Sequence, residues 1–338
     1  MRDNETAAVV CGAGSWLPPR RVTNADLAGY LDTSDEWIVS RTGIHRRHVV
    51  DAGTSTGDLA VEAGREALKS AGDTQVDAVV LATTTPDRLC PATAPEVATR
   101  LGLTGVAAYD VSAVCTGFVY ALASATGLIA AGVAERVLVI GAEAFTTILN
   151  PRDRTTVPIF ADGAGALVLR AGTPDEPGAV RAFDLGSDGE NSDLIQIPAG
   201  GSRQRSAGTP AGPGDGYFTM RGRDVYRHAV ERMAASVRRV MDRAGWRLSD
   251  VDRLVPHQAN SRISTAVAAR LDIPDERCLS NIAEVGNTAA ASVPLLLAQG
   301  SRQGWLRPGH RVLLTAFGGG LTWGSAALTW PELDIQGD

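Results

Sequence analysis

Lysine is nearly missing from this chain of 338 residues: Lys69 stands alone among 32 basic side chains. It lies in a polar helical stretch, which argues against Schiff-base chemistry on a lysine. The four cysteines, Cys11, Cys90, Cys115 and Cys278, are scattered, with no Cys-x-x-Cys pair and no histidines at ligand spacing. A disulfide framework and a structural metal are therefore not expected, and no cofactor is implied. No apolar run approaches the roughly 18 residues that a membrane span requires. The opening residues 1–6 are acidic and polar, unlike a leader, so a cytoplasmic protein without a membrane partner is expected. Aromatic residues are only 5% and the net charge is −6, which gives no footprint for a nucleic-acid partner. A dinucleotide fingerprint is also lacking, because the glycines of residues 11–18 run into Pro18 and Pro19 rather than opening a helix.

What is present is length and internal repetition. A chain of this size exceeds one ordinary core, so two halves are expected. The first half reads Ala71-Gly72, Val76-Asp77-Ala78-Val79-Val80, Ala98-Thr99-Arg100-Leu101-Gly102, Arg136-Val137-Leu138-Val139 and Asp162-Gly163-Ala164-Gly165-Ala166-Leu167. The second repeats that order with Ala244-Gly245, Val251-Asp252-Arg253-Leu254-Val255, Ala268-Ala269-Arg270-Leu271-Asp272, Arg311-Val312-Leu313-Leu314 and Trp323-Gly324-Ser325-Ala326-Ala327-Leu328. Five weak matches in one order imply a duplication, with halves 1–175 and 176–338. Within each half, helical stretches such as residues 58–71 alternate with short β-rich runs such as 76–83, 136–141 and 165–170. That alternation predicts an α/β fold with buried sheets. The Gly- and Pro-rich residues 187–216 read as a surface excursion of the kind that often borders a binding site.

Cys115 sits where a β-rich run ends and an alanine-rich helical pattern starts. A thiol at a helix N-terminus has its thiolate favoured, which suits a nucleophile, although a free cysteine can equally well only pack. Superposing the halves sets Cys115 opposite residues 284–288. His257 follows a predicted strand at the start of His257-Gln258-Ala259-Asn260, a strand exit where catalytic groups commonly sit; His45, His48, His228 and His310 read as ordinary structural or surface residues. Gly318-Gly319-Gly320 follows another strand, and glycines there can aim backbone N–H groups at an oxyanion.

These segments carry a resemblance that runs nearly end to end. Residues 32–44, the Cys115 segment, Phe160-Ala161-Asp162-Gly163-Ala164-Gly165-Ala166, His257-Gln258-Ala259-Asn260, Gly286-Asn287-Thr288 and Phe317-Gly318-Gly319-Gly320 together resemble the β-ketoacyl-acyl carrier protein synthase III family. These are the initiating condensing enzymes of the thiolase superfamily. The resemblance implies a thiolase-like, five-layered α-β-α-β-α fold and a homodimer. It implies that Cys115 takes an acyl group from acyl-CoA and that malonyl-acyl carrier protein then loses carbon dioxide and is acylated. His257 and Asn287 would hold the thioester oxygen during decarboxylation, and the N–H groups of Cys115 and Gly319 the oxyanion at the acylated cysteine. Trp37 and Arg154 would take the CoA adenine, with Arg41, Asn260 and Arg262 along the pantetheine and phosphate path.

One departure concerns the primer. Acetyl-preferring members close the acyl pocket with an aromatic contributed across the dimer, and the matching position here is Cys90. The smaller side chain points to primers longer than acetyl. The pathway is either fatty acid synthesis or the priming of an aromatic polyketide. A relative that acylates a hydroxyl or amine, and a non-catalytic thiolase-fold subunit, are the competing readings; the amide of Asn287 speaks against the first and the intact Cys115, His257 and Asn287 against the second.

Overall fold

The structure, a computed structural model, describes residues 6–334, so most of the polar opening segment lies outside the described residues. Two sheets organise the chain. The first holds β1 (Ala7–Trp16), β4 (Ala78–Ala82), β5 (Ala107–Val111), β6 (Arg136–Glu143) and β7 (Gly163–Gly172) in the order β1-β7-β6-β4-β5. The second holds β8 (Val180–Ser187), β11 (Arg253–Pro256), β12 (Arg311–Gly318) and β13 (Thr322–Thr329) in the order β11-β12-β13-β8. Strands β4 and β6 run parallel, as do β11 and β12, while β7 is antiparallel to β6 and β1 just as β13 is antiparallel to β12 and β8. The sequence repeat is therefore a structural repeat. A lone parallel bridge from Leu254 to Cys278 stands where β5 pairs with β4 in the first half.

Each inner strand is apolar on both faces, which buries both faces of the sheet. On β4 and β6, Val80, Ala82, Val137 and Val139 face one way, packing with Phe118, Leu122 and Ile129 of α5 (Gly117–Ala130) and with Val293, Leu296 and Leu297 of α10 (Ser292–Arg302). The same cluster takes in Val255, Val312 and Leu314 of the second sheet, so α5 and α10 fill the space between the two sheets. On the opposite faces, Val79, Leu81, Leu138 and Ile140 meet α3 (Thr56–Ser70) and α4 (Ala94–Arg100), whereas Leu254 and Leu313 meet α7 (Gly222–Ala244) and α8 (Ser261–Arg270). The result is five layers. Full burial of each such Val, Leu or Ile contributes roughly 1.5–3 kcal/mol, and the layering maximises the number of them.

The glycines that looked like a broken nucleotide loop have a packing role. A Cβ on Gly12 would lie 2.4 Å from the Ala67 carbonyl oxygen, and one on Gly14 2.3 Å from the Ala67 nitrogen. Strand β1 approaches α3 too closely for any side chain there. A small outer unit is formed by β2 (Arg21–Thr23), β3 (Arg46–His48), α1 (Asn24–Ala28) and α2 (Asp35–Thr42). The excursion 187–216 carries β9 (Ile195–Gln196), paired with β10 (Thr219–Met220), and α6 (Ser202–Ser206). Its inner end is not surface, because Leu194 and Ile195 are buried. Short α9 (Ile282–Val285) leads into the segment carrying Asn287.

Candidate active site

Cys115, His257 and Asn287 line one narrow cavity of about 40 Å³. Its other walls include Phe160, Ile195, Phe218, Met220, Met233 and Phe317. The nucleophile candidate sits in a tight turn, residues 114–116, between β5 and α5. Val114 takes φ 47°, a left-handed conformation that a β-branched residue rarely adopts, and such strain persists only where the surroundings enforce it. Here the β12–β13 hairpin does so. Thr116 Oγ1 donates to the Thr322 carbonyl at 3.2 Å, and Thr322 Oγ1 donates to the Ala113 carbonyl at 3.3 Å. A Cβ on Gly318 would lie 2.8 Å from the Cys115 nitrogen. Gly319 packs between Ile195 and Val114, where a Cβ would lie 3.0 Å and 3.1 Å from their Cγ2 atoms. The glycine run thus brings the hairpin against the Cys115 backbone.

His257 is held at the exit of β11, its N–H donating to the Thr315 carbonyl at 2.8 Å. Its Nδ1 is 2.6 Å from Ser292 Oγ, which also accepts from the Gln258 N–H at 3.4 Å. When the serine hydroxyl donates to Nδ1, the ring proton stands on Nε2 and makes that nitrogen a donor. Burial pushes the imidazole down to about 3, so it stays neutral in the working range. Gln258 steadies the same corner: its Oε1 accepts from Ser280 Oγ at 2.8 Å and from the Asn281 N–H at 3.1 Å.

Asn287 is fixed at backbone and side chain alike. Its N–H donates to the Ile159 carbonyl at 3.0 Å, its carbonyl accepts from Ala161 at 2.8 Å, and its Oδ1 accepts from the Ala289 N–H at 2.9 Å. The amide is thereby oriented with Nδ2 as the end left to donate. Two neutral donors, Nε2 of His257 and Nδ2 of Asn287, on one apolar cavity form a pair suited to a growing oxyanion.

The thiol differs from the sequence expectation. A helix N-terminus favours the thiolate, yet burial and then the nearby Glu143 carboxylate raise the Cys115 pKa well above its ordinary value. The helix contribution is overridden because the sulfur is almost wholly removed from water. Cys115 therefore rests as a thiol, and its proton must leave in the course of acyl transfer.

The residues expected at the CoA mouth are assembled in part. The Arg41 and Arg154 guanidinium carbons lie 4.9 Å and 5.1 Å from the centre of the Trp37 ring. Arg154 thus packs on the indole itself, and it also pairs with Asp32 at 2.6 Å. Asn260 caps α8, its side-chain oxygen accepting from the Ile263 N–H at 3.0 Å, and Arg262 in the first turn of α8 lies 5.9 Å from the Tyr226 ring centre. Cys90 is exposed and does not line the cavity of its own chain.

Several residues of the site escaped the sequence reading. Phe145, Phe160 and Phe218 form one aromatic cluster: Phe145 stacks on Phe160 at 4.4 Å and Phe218 meets both edge-on. Ser292 lies in an Ala-rich run that reads only as helix. Glu143 was legible as an oddity, a carboxylate closing the apolar run 137–142. Among the described residues, no group of three or more His, Cys, Asp or Glu could hold a metal, and no helix is long and apolar enough to cross a membrane.

The family described as 3-oxoacyl-[acyl-carrier-protein] synthase III matches residues 109–189, and its C-terminal region matches residues 241–330. A β-ketoacyl-[acyl-carrier-protein] synthase III of Streptomyces coelicolor is 62% identical over 97% of this chain and 98% of its own. The crystal structure of 3-oxoacyl-(acyl carrier protein) synthase III from Pseudomonas aeruginosa has a TM-score of 0.90 at 56% identity, covering 97% of this chain and 99% of that one. That of a priming β-ketosynthase from a polyketide biosynthetic pathway has a TM-score of 0.90 at 32% identity, covering 98% and 99%. On these grounds the chain belongs to the β-ketoacyl-acyl carrier protein synthase III family, with its thiolase-like fold.

Proposed function

We propose that this protein starts chain building by a decarboxylative Claisen condensation on Cys115. The observation that carries this is the meeting of a thiol with two neutral hydrogen-bond donors on one apolar cavity. In the first half-reaction the Cys115 sulfur attacks the acyl-CoA thioester, CoA leaves with the proton, and the oxyanion is held by the N–H groups of Cys115 and Gly319. One thioester is exchanged for another, so the step is nearly balanced. In the second, malonyl-acyl carrier protein loses carbon dioxide. The electron pair of the broken carbon–carbon bond moves onto the thioester oxygen, where His257 Nε2 and Asn287 Nδ2 donate to it. One such donor contributes about 3 kcal/mol to lowering the barrier. The enolate carbon then attacks the Cys115 thioester and frees the cysteine, giving a 3-oxoacyl-acyl carrier protein. Trp37, Arg41, Arg154, Asn260 and Arg262 bind the CoA, with arginine suited to its phosphates.

The working unit we propose is a homodimer of such chains, each dividing near residue 175, acting in the cytoplasm. Support comes from β5, the edge of the first sheet, whose residues Tyr109 and Val111 are only half-buried. An unpaired apolar edge of this kind favours pairing with a second copy. Asp110 on that strand accepts from the N–H groups of Thr93 and Ala94 at 2.8 Å, which ties the Cys90 loop to the same edge. Cys90 would then reach the partner's acyl pocket and leave room for primers longer than acetyl; Cys90→Phe is expected to shift preference toward acetyl among two- to five-carbon primers.

The deciding experiment is intact-mass analysis of the protein after exposure to a mixture of acyl-CoAs, followed by addition of malonyl-acyl carrier protein. A mass gain on Cys115 and then a 3-oxo product are expected. A gain with no 3-oxo product would reject the condensing role in favour of acyl transfer to another acceptor.

A further inference from the structure

Asp188 and Arg232 lie behind the glycine turn, and no step of the reaction above uses them. Their side chains pair at 2.7 Å, with the Asp188 carboxylate only 15% exposed. The Asp188 backbone is paired with Leu321 in both directions: its N–H donates to the Leu321 carbonyl at 2.8 Å, and its carbonyl accepts from the Leu321 N–H at 2.7 Å. Leu321 ends the turn that begins at Gly319, whose N–H is assigned to the oxyanion at Cys115. Further along the segment that Asp188 opens, Ile195 packs on Gly319 itself, its Cγ2 being 3.0 Å from where a Cβ would stand. One segment therefore grips the turn at two points. The Asp188 carboxylate fixes the start of that segment, accepting from the Glu190 N–H at 3.2 Å and from Asn191 Nδ2 at 3.0 Å. Arg232 anchors it to α7, and its guanidinium carbon also lies 4.3 Å from the centre of the Trp323 ring. Trp323 pairs with Phe317 across the β12–β13 hairpin and lies against Gly186 of β8, where a Cβ would meet the indole at 2.4 Å. A single arginine thus ties α7 to the root of the excursion and to the hairpin that carries the turn.

We propose that Asp188 and Arg232 are positioning residues for the acyl-transfer steps: joined to each other and stacked on Trp323, they hold the 319–321 turn so that the Gly319 N–H meets the oxyanion formed at Cys115. They touch no substrate and act through Gly319. This rests on the assignment of the Gly319 N–H as an oxyanion donor in the reaction proposed above. Two steps build negative charge on the oxygen of the acyl group at Cys115, the attack of the Cys115 sulfur on acyl-CoA and the attack of the enolate carbon on the Cys115 thioester. Loss of carbon dioxide builds it elsewhere, at His257 and Asn287. A turn slackened by loss of the pair slows the first two steps and spares the third, and a shift of about 1 Å at such a donor costs on the order of 10²-fold. An enolate that is not acylated takes a proton from water at carbon, giving acetyl-acyl carrier protein in place of the 3-oxo product.

The test separates these steps in the full-length protein. Acylation of Cys115 by acyl-CoA is followed by intact mass; on enzyme acylated beforehand, carbon dioxide release and the products from malonyl-acyl carrier protein are followed together. Arg232→Leu removes the charge and keeps an apolar stem beside Trp323. It is expected to slow acylation about tenfold, to change carbon dioxide release less than about twofold, and to send a larger share of that release to acetyl-acyl carrier protein. Asp188→Asn, which keeps an oxygen for the Glu190 N–H, should give the same pattern more weakly. The double variant should be no slower in acylation than Arg232→Leu by more than about twofold, because the two side chains work as one unit. Equal slowing of acylation and carbon dioxide release, unchanged acylation, an unchanged division of products, or additive losses in the double variant would overturn the proposal. Gly318→Ala in the same assay separates the two readings. If it is acylated at the parental rate, the assignment of the turn to the oxyanion fails; if it is slowed while Arg232→Leu is not, only the role of the pair fails. Should Arg232→Leu not fold, Asp188→Asn decides alone by the same criteria.

Discussion

Replacing Ser292 by alanine tests whether His257 works as a neutral Nε2 donor. The 2.6 Å contact between Ser292 Oγ and His257 Nδ1 lies in a corner where the imidazole is 2% exposed, so water cannot substitute for the lost hydroxyl. Leaving a buried ring nitrogen unpaired costs about 1–3 kcal/mol. The ring can recover that energy only by rotating until Nδ1 meets another donor, and the rotation removes Nε2–H from the substrate oxygen. Ser292→Ala should therefore slow decarboxylation of malonyl-acyl carrier protein by about 10- to 100-fold, the kinetic equivalent of roughly 1.4–2.8 kcal/mol. Acylation of Cys115 uses backbone donors instead and should change little, and Ser292→Thr should restore most of the loss. The assay is release of labelled carbon dioxide under single-turnover conditions, with acylation measured in parallel by mass. Decarboxylation within twofold of the parent would refute the reasoning, as would equal slowing of both steps.

Gly318→Ala places a Cβ 2.8 Å from the Cys115 nitrogen, and the strained Val114–Cys115 turn must move, so acylation by acyl-CoA should fall at least about tenfold as measured by intact mass. Stability should depend on pH through two buried groups of opposite sign. Burial lowers His257 from 6.5 to about 3, so below pH 6.5 the unfolded chain takes up a proton that the folded chain refuses; burial raises Glu143 from 4.5 to about 7, so above pH 4.5 the folded chain keeps a proton that the unfolded chain releases. Their slopes cancel between pH 4.5 and 6.5, and the His257 part costs about 2 kcal/mol as pH falls from 4.5 to 3, a window it shares with carboxylates held low by hydrogen bonds and arginines, such as Asp184. Urea titrations of the parent and His257→Gln should diverge from pH 6.5 downward, because Glu143 acts in both proteins and only the histidine is removed, and parallel curves would remove the basis for a neutral imidazole. Trp37→Ala, which takes away the ring between Arg41 and Arg154, should raise KM for acyl-CoA by about tenfold with little change in kcat, read from initial rates.

What could be read in the sequence and what could not divides on a physical line. The two sheets were legible because their inner strands are apolar runs with few competing signals, and because the second half repeats the first: Val251–Val255 and Arg311–Leu314 mark β11 and β12 as Val76–Val80 and Arg136–Val139 mark β4 and β6. Cys115 and His257 were legible because each stands at an exit from a strand, beside glycines or capping residues that leave a signature, whereas Asn287 was marked only by the family resemblance of Gly286-Asn287-Thr288. The state of the thiol was not. It is the outcome of a competition between the α5 N-terminus and burial beside Glu143, and only three-dimensional distances decide which prevails. The aromatic wall was equally hidden, since Phe145, Phe160 and Phe218 come from three separate segments and each alone is an unremarkable core residue. Ser292 and Glu143 show the same limit at the chemical centre. A serine opening an apolar helix and a glutamate closing an apolar strand look like local exceptions in a sequence. They acquire meaning only when the first is found on a histidine nitrogen and the second held by Thr84 and Thr85, close enough to act on the Cys115 thiol. The residues assigned to the substrate sit at the ends of elements and most are marked there. Those that hold them in place are spread through the layers behind, and the fold is what joins them.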